Sequence, residues 1–229
     1  MNISQRTQAT LILENGVEFH GYSFGAEVSV SGEVVFNTGM VGYPESLTDP
    51  SYCGEILTLT YPLIGNYGVP ASMHDTHGLS NFESERIQIQ GLIVANYSDE
   101  YSHWNAKQSL SEWLIQESIP ALFGVDTRHL TKILRENGTM SGKIIFHGSD
   151  VEFRNPNITN LVQKVSINKP VVYNPSGKKN VLLIDCGVKN NIIRHLIQRD
   201  VKVIRVPYDY DFLNETFDGV LISNGPGDP

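Results

Sequence analysis

The sequence predicts an α/β protein built in two parts, and three observations carry that reading. Short runs rich in Val, Ile, Thr and Tyr, separated by turns, fill residues 1–150, with two helical patterns among them. From Asn180 the runs become continuously apolar and alternate with a helix, as buried parallel strands do. Between these regions, residues 151–179 are punctuated by Asn155-Pro156, Lys169-Pro170 and Asn174-Pro175-Ser176-Gly177, the mark of a linker. The expected arrangement is a β-rich domain over 1–150, a linker over 151–179, and the start of a parallel-sheet α/β domain over 180–229.

Each element has a local reason. "TLILENGVEFHGYSFG" reads as a hairpin, because Asn15-Gly16 lies between two β-favouring runs. "GEVVFNTGM", "EILTLTY" and "IQGLIVANY" read as strands. Leu110, Trp113 and Leu114 follow helical spacing, and Pro120 closes that segment. "DTRHLTKILRENG" is a capped helix: Asp126 or Thr127 starts it, Leu130, Ile133 and Leu134 form its apolar stripe, and Gly138 ends it. "GKIIF" follows as a strand, and a short helix is expected near Ile158 to Val165. "NVLLID", "VKVIRV" and "GVLIS" are the strands of the last part, and "KNNIIRHLIQRD" is its helix, with Ile192, Ile193, Leu196 and Ile197 inward.

Composition excludes several classes. The hydrophobic fraction of 40% supports a packed core, and the net charge of −8 argues against a nucleic-acid partner. Cys53 and Cys186 are too few and too far apart for a disulfide framework or a thiolate zinc site. No apolar stretch approaches the ~18–20 residues that cross a bilayer, and the opening residues resemble neither a secretory signal nor a transit peptide. The chain reads as cytoplasmic, so the N-x-[ST] triplets at Asn2, Asn96, Asn137, Asn157 and Asn214 read as chance matches.

The most suggestive stretch is "LISNGPGDP", Leu221 to Pro229. Ligands of open α/β sheets bind beyond the carboxyl ends of strands, where this loop lies. Gly225 and Gly227 let backbone N–H groups approach a ligand closely, and Pro226 stiffens the loop between them. Pre-aimed N–H groups are what an oxyanion hole requires, although an ordinary tight turn fits the spacing equally well. Roughly 50 residues with one helix cannot cover both faces of a parallel sheet. The expectation is therefore an amino-terminal piece of a longer protein.

Other motifs fall away. "GTMSGK", Gly138 to Lys143, is one residue short of a P-loop, has Ile144 in place of Ser or Thr, and runs into a strand. "DCGVKNN" lacks the glycine spacing of a dinucleotide loop. Cys186, at a strand end, has no visible base to activate it and reads as a packing residue. His74 and His77 lack a third ligand, so no metal site is expected. "TDPSY", Thr48 to Tyr52, reads on its own only as a proline turn.

Five blocks in one order carry a resemblance: "SGEVVFNTGMVGYPESLTDPSY", "LTLTYPLIGNYGVP", "FGVDTRHLTKILRENGTMSGK", "DCGVKNNIIRHL" and "SNGPGDP". Together they resemble the glutaminase part of the carbamoyl phosphate synthetase family, in its eukaryotic form. The resemblance implies a β-rich swivelling β/β/α amino-terminal domain, followed by the opening of a class I glutamine amidotransferase domain. Asn224 and Asp228, flanking Gly-Pro-Gly, favour this family over other class I amidotransferases. It also implies a chemistry. A cysteine thiolate attacks the amide of L-glutamine, a His–Glu pair handles protons, and ammonia passes to a synthetase unit that uses ATP and bicarbonate.

By the same resemblance Ser51, Gly225 and Gly227 bind glutamine, and Gly225 is the candidate oxyanion donor. The family nucleophile sits in a G-x-C-x-G block, with its His and Glu further on, and none matches a position here. No catalytic residue is therefore expected in this chain, which should be inactive alone. No cofactor is expected in it either, ATP and Mg²⁺ belonging to the synthetase unit. That unit, a separate large subunit or fused domains, is the expected partner, serving pyrimidine or arginine biosynthesis with the pyrimidine type favoured. Neither a nucleic acid nor a membrane is expected as a partner. The alternative class is a non-catalytic docking module that binds a synthetase partner.

Overall fold

The computed structural model describes residues 6–155 and 158–227. The chain forms two compact units that are not continuous in sequence. Unit 1 comprises Met1–Leu47, Gly54–Ala71 and Ile89–Pro156; unit 2 comprises Thr48–Cys53, Ser72–Gln88 and Asn157–Pro229.

Unit 1 is built on a closed barrel. Its strands are β1 (Gln8–Leu13), β2 (Glu18–Ser23), β3 (Val30–Asn37), β4 (Glu55–Ile64), β6 (Gly91–Tyr97), β8 (Ala121–Phe123) and β9 (Met140–Phe146). They close in the order β1-β2-β8-β6-β4-β3-β9. β1 and β2 are the expected hairpin about Asn15-Gly16, with Leu11 opposite Phe19. The β3–β4, β4–β6 and β6–β8 pairs are parallel, and β9 closes the barrel antiparallel to both β1 and β3. Alternation along β1 and β9 turns Leu11, Leu13, Ile144 and Phe146 into the core. Each large side chain buried there contributes about 1.5–3 kcal/mol.

α1 (Tyr43–Thr48) and the two-stranded pair β5 (Val69–Pro70) with β7 (Ala106–Gln108) are short additions that periodicity did not reveal. α2 (Leu110–Gln116) starts on a capping box, in which Ser109 accepts from the Glu112 N–H and Glu112 accepts in return. α3 (Thr127–Asn137) is the capped helix read from sequence. Asp126 accepts from the His129 N–H at 2.9 Å, and Leu130 and Leu134 enter the barrel core. The "GTMSGK" stretch runs into strand β9, as its failure as a P-loop requires.

Unit 2 holds a four-stranded sheet in the order β10-β12-β11-β13. β11 (Lys179–Asp185) is parallel to both β12 (Val201–Pro207) and β13 (Gly219–Ile222). β10 (Val171–Tyr173) joins antiparallel to β12. α4 (Leu161–Val165) covers the second half of the helix expected near Ile158. α5 (Asn190–Ile197) turns Ile193 inward, against Leu183, Val188 and Val203. Residues 72–88 are long-range members of this unit. Leu79 is buried in the same core, and the Asn190 side chain donates to the Ser80 and Phe82 carbonyls.

Candidate functional site

β11 and β13 are parallel, so their carboxyl ends open on the same side, and two loops leave there: 186–189 after β11 and 223–227 after β13. Asp185 closes β11 and is fully buried. One carboxylate oxygen accepts from the Gly187 and Val188 N–H groups at 3.0 and 2.9 Å. The other accepts from the Ile167 N–H at 2.9 Å and from Arg205 Nε and Nη2 at 3.0 and 2.7 Å. A buried carboxylate needs this much compensation, and here it fixes the 186–189 turn and the stretch after α4 together.

A third segment joins these loops within unit 2. Pro50–Tyr52 forms a 3₁₀ turn, started by Asp49, whose side chain accepts from the Ser51 N–H at 3.0 Å. Lys189 Nζ meets the other Asp49 oxygen at 3.2 Å. Asn224 Nδ2 donates to Ser51 Oγ at 2.7 Å, tying the turn to the 223–227 loop. Two glycines make the approach possible. A Cβ on Gly225 would overlap the Cys186 carbonyl oxygen. A Cβ on Gly187, which has φ +120°, would stand 3.2 Å from Pro50 Cβ and 3.3 Å from Gly225 Cα.

Two residues read from the motif, Ser51 and Gly225, therefore lie on joined segments, and Gly227 follows in the same loop with φ +88°. The Gly225 N–H meets no acceptor among the described residues. Asp228 lies outside the described residues. Cys186 sits beneath the loop with its N–H bonded to Ser223 Oγ at 2.9 Å. Burial, with the Asp185 charge adding to it, pushes its thiol above the ordinary value. That disfavours the thiolate a nucleophile needs. Cys53 is buried.

His74 pairs with Glu85 at 2.8 Å on the surface, and among the described residues no group of three or more His, Cys, Asp or Glu could hold a metal ion. A cavity of about 330 Å³ in unit 2 is lined by Pro50, Arg86, Lys164, Val188, Asn190 and Arg205 among others; one of about 920 Å³ in unit 1 lies along α3. Neither includes Ser51, Gly225 or Gly227. The site is thus marked by converging backbone and short polar groups rather than by an enclosed hollow. Sequence reading passed over Asp185, Arg205 and Ser223. The signal for the first two was a charge at the end of the apolar run of β11 and a second charge, after Lys202, within β12.

The carbamoyl-phosphate synthase small chain, CPSase domain, family matches residues 11–144, and the class-I glutamine amidotransferase family matches residues 182–229. The chain is 53% identical to the multifunctional protein CAD of Squalus acanthias, over 96% of this chain and 10% of that protein. It is 50% identical to the mitochondrial carbamoyl-phosphate synthase [ammonia] of Mus musculus, over 96% of this chain and 15% of that protein. It is also 50% identical to the carbamoyl phosphate synthase arginine-specific small chain of Chaetomium globosum, over 96% of this chain and 50% of that one. The chain thus spans half or less of the length of these relatives. Among the described residues no helix is long and apolar enough to cross a membrane.

Proposed function

We propose that this chain, which belongs to the carbamoyl-phosphate synthase small-chain family, contributes part of the glutamine pocket of a glutamine-hydrolysing carbamoyl phosphate synthetase. The reading rests above all on one observation: the Ser51–Asn224 hydrogen bond, which joins the 3₁₀ turn to the glycine loop at the carboxyl ends of two parallel strands. Glutamine is the ligand. Ser51 and the backbone of Gly225 and Gly227 hold it, and the Gly225 N–H faces the amide oxygen as negative charge develops there. The attacking cysteine and its His–Glu pair come from outside these 229 residues. The released ammonia passes to a synthetase unit, separate or fused, which supplies the ATP and Mg²⁺ chemistry for carbamoyl phosphate. The product serves pyrimidine or arginine biosynthesis.

The test has two arms. The purified 229-residue chain should release no ammonia from glutamine; turnover that Cys186→Ser abolishes would overturn the reading. In the full-length protein, Gly225→Ala should lower glutamine-dependent synthesis by up to about 10²–10³-fold, because the added Cβ overlaps the Cys186 carbonyl oxygen and drives the Gly225 N–H off its aim. Synthesis from added ammonia should survive that change. Equal loss of both activities would remove Gly225 from the pocket.

A further inference from the structure

We propose that Ser223 is a positioning residue for glutamine hydrolysis, its hydroxyl holding the Asn224–Gly225 peptide so that the Gly225 N–H stays aimed at the ligand. The inference rests on the glutaminase reading above.

Ser223 is the residue immediately after β13, and its own N–H donates to the Ile184 carbonyl at 3.1 Å, carrying the β11–β13 pairing one step further. The residue is 8% exposed, so water cannot readily substitute for its partners. Two bonds meet at its oxygen: the Cys186 N–H donates to it at 2.9 Å, and it lies 2.7 Å from the Asn224 carbonyl oxygen. Chemistry sets the direction of both. A backbone N–H can only donate and a carbonyl can only accept, so the single hydroxyl proton goes to Asn224.

That proton has a consequence one atom along. The peptide is trans, so its N–H points opposite to its C=O. Tying the Asn224 carbonyl to Ser223 therefore turns the Gly225 N–H away from Ser223, and it meets no acceptor among the described residues. The Asn224–Ser51 bond and Pro226 steady the loop on either side, but the steric hold on the peptide itself is weak. Gly225 has no Cβ, and a peptide beside glycine rotates against little steric resistance. The close seat of Gly225 on the Cys186 carbonyl fixes where the loop lies, whereas the Ser223 bond fixes which way its peptide faces. An oxyanion donor acts through being aimed before charge develops, so loss of that aim should lower turnover more than ground-state binding.

The experiment uses the full-length protein, with glutamine hydrolysis and ammonia-dependent carbamoyl phosphate synthesis measured side by side. Ser223→Ala is expected to lower kcat for glutamine by about tenfold or more, below the full effect of deleting a donor, with KM for glutamine little changed. The ammonia-dependent rate reports on the synthetase unit and should stay near wild type, whereas the unchanged KM for glutamine reports that the pocket around Ser223 is folded. Ser223→Thr, which restores a hydroxyl, should recover part of the lost kcat. A Ser223→Ala variant with unchanged kcat would overturn the inference, as would parallel loss of both activities or a rise in KM alone. A wild-type protein that uses ammonia but does not hydrolyse glutamine would overturn the glutaminase reading itself, and this inference with it.

Discussion

Among the described residues, one buried apolar cluster of unit 1, in the barrel and under α3, joins fourteen side chains, whereas the cluster of unit 2 against α5 joins six. The barrel of unit 1 closes on itself and leaves no strand edge in its ring. The sheet of unit 2 has β10 and β13 at its edges, and Ile222 on β13 is 70% exposed. Unit 2 also holds buried polar groups: Asp185, Asn190, Ser80 and Ser223 are all under 9% exposed and all hydrogen-bonded. Apolar burial is strong but has no direction. Hydrogen bonds are weaker in net worth but set orientation. The unit held by directional bonds is the one whose loops carry the backbone groups proposed to face glutamine.

The sharpest way to break this contrast is Asp185→Ala. It leaves Arg205 without its carboxylate partner, and the Gly187, Val188 and Ile167 N–H groups without their acceptor. Removing one partner of a buried ion pair costs about 3–5 kcal/mol. Hydrogen exchange should show unit 2 amides losing protection while barrel amides keep theirs. Equal loss in both units would mean that Asp185 is not the local hub described here.

The complementary test strikes unit 1. Ile93, fully buried in the barrel core, becomes a cavity in Ile93→Ala, at a cost of about 3 kcal/mol within the range for such truncations. Urea denaturation followed by exchange should now place the loss in unit 1. Loss of less than about 1 kcal/mol would show a barrel able to collapse around the gap.

The same contrast explains what the sequence could and could not reveal. The hairpin at Asn15-Gly16, the Asp126-capped helix and the apolar strands from Asn180 were legible, because each depends on near neighbours. Barrel closure was not. Its parallel pairs join strands distant in sequence, and side-chain alternation states which face is buried but not which strand is the partner. α1 was hidden by its length and by Pro44, which a first helical turn tolerates. Of the proposed site residues, Gly225 and Gly227 stood out by their spacing, whereas Ser51 was singled out by the resemblance alone. Ser223 was not legible, because a serine at a strand end carries no sign of the peptide it orients.

A smaller effect is expected at a helix cap. Asp126→Ala removes the acceptor for the His129 N–H at the start of α3 and should cost unit 1 about 1 kcal/mol. Asp126→Asn keeps an acceptor oxygen and should recover most of it. Thermal melts that order the proteins wild type, Asn, Ala would support the cap; identical melts would remove it.

The smallest effect expected is a pH dependence confined to unit 2. Burial tends to raise the Asp75 carboxyl, but the Leu79 and His77 N–H groups and Arg194 on α5 outweigh it and hold the group below the usual carboxylate range. A carboxyl lowered in the folded state favours folding above its unfolded value of 3.8. That contribution is complete near neutral pH and is lost as pH falls through the lower folded value. Asp75→Asn keeps an acceptor for the backbone groups but cannot ionise, so its stability should be flatter with pH in this window. Wild type should therefore be the more stable at neutral pH, and the two proteins should converge in acid. Parallel curves from pH 6 down to the acid limit would show that neither the backbone bonds nor Arg194 lowers the Asp75 carboxyl in the folded protein.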